Sequence, residues 1–488
     1  MNAILLTAVW GIIMMFGGVF FKSKQTPKYW AIAGLVIIII SNYLELTTGA
    51  SFFEIETKYM LSFNSFNLTF ITIALVSTLL YFLLSGSDIE KVGDNVSEYF
   101  ALIFFVLCGV CLSATYNTLL ILFLGIEIMS IPLYILTGSD KRNLKSNEAA
   151  LKYFLMGAFS TGIMLMGIAF LYGGNSDGSF FINSFNFGEG KMPVFIAIGM
   201  VFMLIALSFK VSAAPFHFWT PDVYEGAPTV FTSFMATVVK IAGFIAFIRL
   251  FENSFGKVQA QWQLLVSVIT AATLFIGNLT AVFQQSVKRM LAYSSIAQAG
   301  FMLLAVFALN KTAMQGLILY SAAYSLATIG LFAILIRMYD YTIDGFNGLA
   351  KSQPVLAVTA TIFLLSLTGI PLTAGFQSKF LMLVAAIRDG HHHWLVFWAI
   401  LCAAVSAYYY FKIIQAMFFK VAGQEVEEHG SIAEGSTITI GFKVLLVLTA
   451  ILIILLGIFP SLLTNTASTY SGDLNVPALF ILTFRGVG

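Results

Sequence analysis

The sequence predicts an all-α integral membrane protein of about 14 transmembrane helices, with two inverted five-helix repeats and breaks in helices 7 and 12. Three observations lead there. Apolar residues make up 59% of the 488 positions and charged residues only 10%, whereas ordinary soluble proteins carry roughly 25% charged residues. The apolar residues gather in runs of about 20, the length of helix that crosses a hydrocarbon core of about 30 Å while satisfying its own backbone polar groups. Two of these runs, five spans apart, are interrupted at a proline.

In chain order, the run from Ile4 to Phe21 has no preceding positive segment and no A-x-A site after it, so it reads as a first membrane helix and not as a cleaved signal. Spans two and three follow at about 30–49 and 66–86. Span four, about 98–115, holds Cys108 and Cys111 in a C-x-x-C. No further Cys or His lies near enough in sequence to complete a metal or cluster site, so the pair reads as apolar core. With Cys402 the chain has three cysteines, too few for a disulfide framework. Span five, about 118–137, carries Glu127 in "LGIEIMS", and span six, about 150–172, begins beside Lys152.

Span seven, about 194–219, runs into "LSFKVSAAPFHFWTP", with Lys210 five residues before Pro215. Span eight, about 227–250, holds Lys240 with apolar or small residues for about ten positions before it and eight after. Spans nine to eleven fall at about 262–285, 294–308 and 313–338. Span twelve, about 353–387, is interrupted at "TGIPLTAG" around Pro371, and Lys379 lies just beyond. Spans thirteen and fourteen, about 394–419 and 440–463, complete the set, with Lys412 in the thirteenth.

Unwound backbone at membrane depth is tolerated only where it lines a protein cavity, so the two breaks point to an ion or substrate site. Their odd offset of five spans makes the repeated units opposite in sense. This divides the chain into 1–97 (helices 1–3), 98–250 (helices 4–8), 251–422 (helices 9–13) and 423–488 (a loop, helix 14 and a tail). With both termini outside, about thirteen Lys and Arg, among them Lys22, Lys24 and Lys141, fall on the cytoplasmic side. About seven, among them Lys191, Lys257 and Arg485, fall on the other, and this imbalance sets the orientation. The net charge of +2, scattered singly, leaves no footprint for nucleic acid.

Lys152, Lys210, Lys240, Lys379 and Lys412 lie well inside predicted spans or beside their breaks. An ionisable group at mid-membrane costs about 2.5–3.5 kcal/mol on insertion scales, so each marks a candidate site. Snorkelling to an interface competes for Lys152 and Lys412. It serves Lys240 poorly. Glu127 is the acid available to a buried lysine, either as a working partner or as a passive pair that fixes helix packing. Burial favours a neutral lysine and a nearby carboxylate favours the ammonium, so a carboxylate that moves can load or unload a proton. His217 is either a relay towards the cytoplasm or a histidine bonded to loosened backbone. The run of three histidines at 391–393 reads as a solvated loop, because adjacent residues of a regular helix cannot all face one ion.

The stretches "KVSAAPFHFWTPDVYEGAPTVFTSFMATVVKIAGF", "VKRMLAYSSIAQAGFML" and "SLTGIPLTAGFQSKFLM" are similar to the antiporter-like membrane subunits of bacterial NADH-quinone oxidoreductase, respiratory complex I. The run "PDVYEGAPT" looks most like the subunit N group, and the similarity extends from about Tyr99 to Ala422. The resemblance implies fourteen helices with two inverted five-helix units, and a role in proton translocation within a redox-driven translocase. It assigns the essential acid of the fifth helix to Glu127, the lysines of the seventh, eighth and twelfth helices to Lys210, Lys240 and Lys379, and secondary positions to Lys152, His217 and Lys288. Lysine in the twelfth helix separates the chain from subunit M, which has glutamate there; subunit L would need a long C-terminal lateral helix.

The resemblance further implies that this chain carries no cofactor, and that NADH, FMN, iron-sulfur clusters and quinone belong to partner subunits. Its expected surroundings are the bacterial inner (cytoplasmic) membrane and other membrane-arm subunits, on the quinone-site side and the subunit M side. Three other classes stay open on the residues alone: a subunit of a multisubunit Mrp-type cation/proton antiporter, a stand-alone transporter of an organic solute, and a structural membrane subunit.

Overall fold

The computed structural model describes residues 1–465 apart from 21–22, 50, 54–55, 186, 188–191, 391, 422–431 and 434–437. Lys22, Lys191, His391, Arg485 and the tail beyond residue 465 therefore lie outside the described residues. The described chain is helical throughout, with isolated bridges but no strand. In order, α1 (Asn2–Phe20), α2 (Thr26–Thr48), α3 (Ser65–Ser85), α4 (Val96–Thr115), α5 (Leu119–Thr137) and α6 (Leu144–Gly174) come first. Then follow α7 (Val194–Lys210), α8 (Trp219–Gly226), α9 (Thr229–Phe234) and α10 (Lys240–Phe255), with a π-helical turn, Met235–Val239, between the last two. The remainder is α11 (Gln259–Val282), α12 (Val287–Ala308), α13 (Lys311–Leu335), α14 (Leu349–Ser352), α15 (Pro354–Thr368), α16 (Ala374–Arg388), α17 (His393–Phe419) and α18 (Ile440–Ile458).

Eleven helical stretches among the described residues are long and apolar enough to cross a membrane, and α7 and α15 are shorter apolar helices. Those two short helices end where the sequence predicts breaks. Both breaks are present: α7 gives way to α8 through residues 211–218, and α15 to α16 through residues 369–373.

Burial sorts the helices. The stretch from Thr229 to Val282 and helix α13 are wholly enclosed over their most apolar windows, while α1 and α18 bury only 28% and 33% of theirs. A helix apolar on every face has no solvent side to present and takes the centre, whereas peripheral helices turn apolar residues outward to lipid or a neighbour. At one end of the molecule, buried Asp88 and Arg337 form an ion pair at 3.3 Å. Arg337 also donates to the Leu84 carbonyl at 3.0 Å and lies 3.8 Å above the Phe442 ring, tying the end of α3 to α18.

Candidate functional site: buried lysines between two broken helices

The first break fixes Lys210. Helix α7 ends on it, and Ser212 then adopts φ +64°, a left-handed conformation that side-chain-bearing residues rarely take. The turn is held by Ala213 N–H donating to the Ser208 carbonyl at 2.8 Å and Ala214 N–H donating to Thr273 Oγ1 of α11 at 2.9 Å. Lys210 is buried, and its Nζ donates to Ser130 Oγ of α5 at 2.9 Å.

Glu127, three residues before Ser130 on α5, accepts from Thr161 Oγ1 of α6 at 2.7 Å. Glu127 and Lys210, the acid and the seventh-helix lysine to which the family resemblance points, form no direct ion pair: no lysine nitrogen among the described residues comes within 4.0 Å of the Glu127 carboxylate. Residues three apart share a helix face, and Ser130 occupies the position facing the ammonium. Glu127 stands one turn away, half-buried beside the exposed Leu124 and Ile131. Each charge is thus held by its own hydroxyl, Glu127 by Thr161 and Lys210 by Ser130, whose own proton goes to the Ile126 carbonyl at 2.6 Å.

Lys240 begins α10 immediately after the π-helical turn. Such turns widen a helix and leave carbonyls poorly bonded. Here the Tyr324 hydroxyl donates to the Ala236 carbonyl at 2.8 Å and the Tyr224 hydroxyl to the Met235 carbonyl at 3.3 Å. Lys240 is 1% exposed, and its Nζ donates to the carbonyl and hydroxyl of Ser295 on α12 at 2.7 and 3.0 Å. No carboxylate pairs with it among the described residues.

The second break makes a cradle for Lys379. Helix α15 ends in Gly369 at φ +90°, a region that glycine alone enters without strain. The Leu367 and Thr368 carbonyls freed there accept from Lys379 Nζ at 2.7 and 3.1 Å, and the ammonium also lies 4.4 Å from the centre of the Phe301 ring. A helix C-terminus carries partial negative charge, so its unpaired carbonyls suit a cation. The approach is close: a Cβ at Gly375 would stand 1.8 Å from the Ser366 carbonyl oxygen.

Helix α12 joins the two central lysines. Gln298 Nε2 donates to the Leu367 carbonyl at 2.9 Å and to the Tyr410 hydroxyl at 3.0 Å, and the Tyr320 hydroxyl donates to Gln298 Oε1. Tyr410 also shares a hydrogen bond with Ser294, the neighbour of Ser295. A cavity of about 10 Å³, room for about one water, lies beside this network, lined by Gln298, Tyr320, Tyr324, Ser366 and Ser378. Ser321 and Ser325 of α13 present buried hydroxyls with no protein partner, the setting in which proteins hold internal water.

The secondary positions lie elsewhere. Lys152 is expected inside the membrane, but it is 42% exposed and forms ion pairs with Glu148 at 2.8 Å and Asp222 at 2.9 Å. The expectation fails because α6 starts six residues before the predicted span, at Leu144, so that its first two turns are a charged surface. Arg289 pairs with the same Asp222 at 3.2 Å and with Glu225 at 2.5 Å, around an open pocket of about 520 Å³. Behind that pocket, buried Lys288 donates to the carbonyls of Glu225 and Ala227 at 2.9 and 2.6 Å. His217 sits half-buried in the first break and makes no hydrogen bond to Lys210.

The sequence alone did not single out Ser130, Ser295, Gln298, Tyr320, Tyr410 or the Asp222–Arg289–Glu225 cluster. Gln298 offered a signal, as an amide inside the apolar run of span ten; the hydroxyls offered none, because Ser and Tyr are common in membrane helices.

A family described as "NADH:quinone oxidoreductase/Mrp antiporter, TM" matches residues 117–406. The NADH-quinone oxidoreductase subunit N of Cytophaga hutchinsonii is 39% identical over 470 residues, covering 95% of this chain and 98% of its own. That of Trichlorobacter lovleyi is 36% identical, covering 94% of each. Among solved structures, a chain of respiratory complex I from Thermus thermophilus with bound aureothin superposes with a TM-score of 0.80 at 30% identity, covering 95% of this chain and 98% of that one. A chain of the Mrp complex from Dietzia sp. DQ12-45-1b superposes with a TM-score of 0.81 at 18% identity, covering 96% of each, a likeness of fold alone.

Proposed function

Since the chain belongs to the NADH-quinone oxidoreductase subunit N family of antiporter-like, multi-pass membrane proteins, we propose that Glu127, Lys210, Lys240 and Lys379 form its proton relay. The observation that carries this reading is the burial of three lysines, two of them at helix breaks and the third beside a π-helical turn. A passive ion pair would need one lysine and one acid. Here two of the three lysines have only carbonyls, hydroxyls and a ring as neighbours.

Protons move along hydroxyls and water by short hydrogen-bonded steps, with amides fixing the orientation of both. In the first unit, Glu127 is held by the Thr161 hydroxyl and Lys210 by that of Ser130, one turn along α5 from the acid, close enough for a change of charge on one to bear on the other. In the second, Lys240 reaches Ser295, while Tyr410 and Gln298 set a polar wall between Ser294 and the Lys379 cradle, and water held by the buried hydroxyls of Ser321 and Ser325 carries the proton across. Lys152, Lys288 and His217 serve uptake from the face that bears the Asp222–Arg289 pocket. A change of field at Glu127 is the trigger: 100 mV acting on one charge is worth about 2.3 kcal/mol, enough to redistribute a proton between stations.

This reading places the chain in the bacterial inner membrane with fourteen crossings, both termini outside, and the pocket facing the cytoplasm. It sits between a quinone-side subunit and a subunit of the M type. NADH, FMN, iron-sulfur clusters and quinone are held by partners, and their redox work drives the relay. The division into residues 1–97, 98–250, 251–422 and 423–488 is supported by matching neighbours: α4 packs on α5 and α10 as α11 packs on α12 and α17.

Glu127→Gln tests the relay against a purely structural role. We expect an assembled complex whose proton pumping per NADH oxidised is lowered; loss of assembly, with normal pumping by whatever complex forms, would favour the structural role.

A further inference from the structure

Helix α17 displays a wall of apolar side chains, with Phe397, Ile400, Tyr408, Phe411 and Phe419 each at least 45% exposed. Trp394 and Trp398 stand near its start and Phe418, Phe419 and Lys420 at its end, the pattern of aromatic and basic anchors at the two membrane–water boundaries. Neighbouring α11 continues the wall with Val268, Phe275 and Phe283.

Lys412 interrupts this wall. It is partly exposed and makes no ion pair or hydrogen bond among the described residues. It lines an open groove of about 720 Å³ with Tyr408, Phe411, Gln415 and Lys420. Lys420, beside the end of α17, has only a loose contact of 3.4 Å with the exposed Asp344.

We infer that this groove binds the phosphate of an anionic phospholipid. An ammonium facing lipid needs a counter-charge. Lys412 lies seven residues before the end of α17, about 10 Å along the axis, a depth from which an extended lysine stem reaches the headgroup region. The phosphate is bracketed by Lys412 and Lys420, Gln415 donates its amide, and Tyr408 and Phe411 flank the acyl chains. None of the relay residues takes part.

A photoreactive benzophenone side chain at position 411, in the full chain within its complex, reports what occupies the groove. In vesicles of equal phosphatidylglycerol and phosphatidylethanolamine, we expect phosphatidylglycerol adducts in about 25-fold excess, about fivefold for each of the two lysines near a charged headgroup. Lys412→Gln lowers the excess about fivefold, Lys412→Arg keeps it, and NADH oxidation is normal in both, showing that the complex is intact. Equal adducts from the two lipids, adducts to polypeptide, or an excess indifferent to Lys412→Gln would each overturn the inference.

Discussion

Lys379 and Gln298 donate to one acceptor, the main-chain carbonyl of Leu367, at 2.7 and 2.9 Å. The carbonyl is available because α15 stops at Thr368. The helix break therefore does more than admit polar backbone: it joins the lysine of one half-helix to the amide network of α12, and that network leads back towards Lys240.

Tyr410→Phe removes the hydroxyl that bridges Ser294 and Gln298. A hydrogen bond is worth about 1–1.5 kcal/mol, so transfer between Lys240 and Lys379 should slow by up to about tenfold. Proton pumping in reconstituted vesicles should fall while the complex assembles normally. Unaltered pumping would remove Tyr410 from the path.

Gly369→Ala places a side chain at φ +90°, with its Cβ 3.0 Å from Lys379 Cδ. The backbone cost is about 1–2 kcal/mol, and the lysine is displaced from its cradle as well. We expect a lower melting temperature together with reduced pumping, where a purely structural glycine would lower only the first.

Ser130→Ala leaves the Lys210 ammonium without its acceptor, a loss of about 1–3 kcal/mol for a buried polar group. Coupling between Glu127 and Lys210 should weaken. Ser130→Thr keeps the hydroxyl and should retain most pumping, which separates loss of the lysine's acceptor from a change of packing.

Asp222→Asn is expected to be mild. Lys152 retains Glu148 and Arg289 retains Glu225, and partly exposed ion pairs are worth about 0–1 kcal/mol each. Pumping should drop by less than about threefold, and a tenfold loss would make Asp222 itself a station on the uptake side.

Much of this organisation was legible in the sequence because membrane helices announce themselves by length and apolarity, and because Pro215 and Pro371 mark the interrupted spans. Lys210, Lys240 and Lys379 stood out by the cost of burying them. Helix limits were less legible where charged residues extend a helix beyond the hydrocarbon: α12 begins at Val287, not near 294, since Lys288 is bonded to carbonyls and Arg289 to carboxylates. The Glu127–Lys210 relationship was legible as proximity but not as geometry. Which side chain of α5 meets the ammonium depends on helix rotation, and Ser130 holds that place. The amide and hydroxyl network around Gln298 was hidden, since its members come from α12, α13 and α17 and meet only in three dimensions.

Lys240 is the most deeply buried of the lysines in the proposed relay, which runs through it. In vesicles holding the assembled complex with Lys240→Ala, the account expects the protons moved per NADH oxidised to fall below the wild-type ratio. A wild-type ratio in that variant would contradict it.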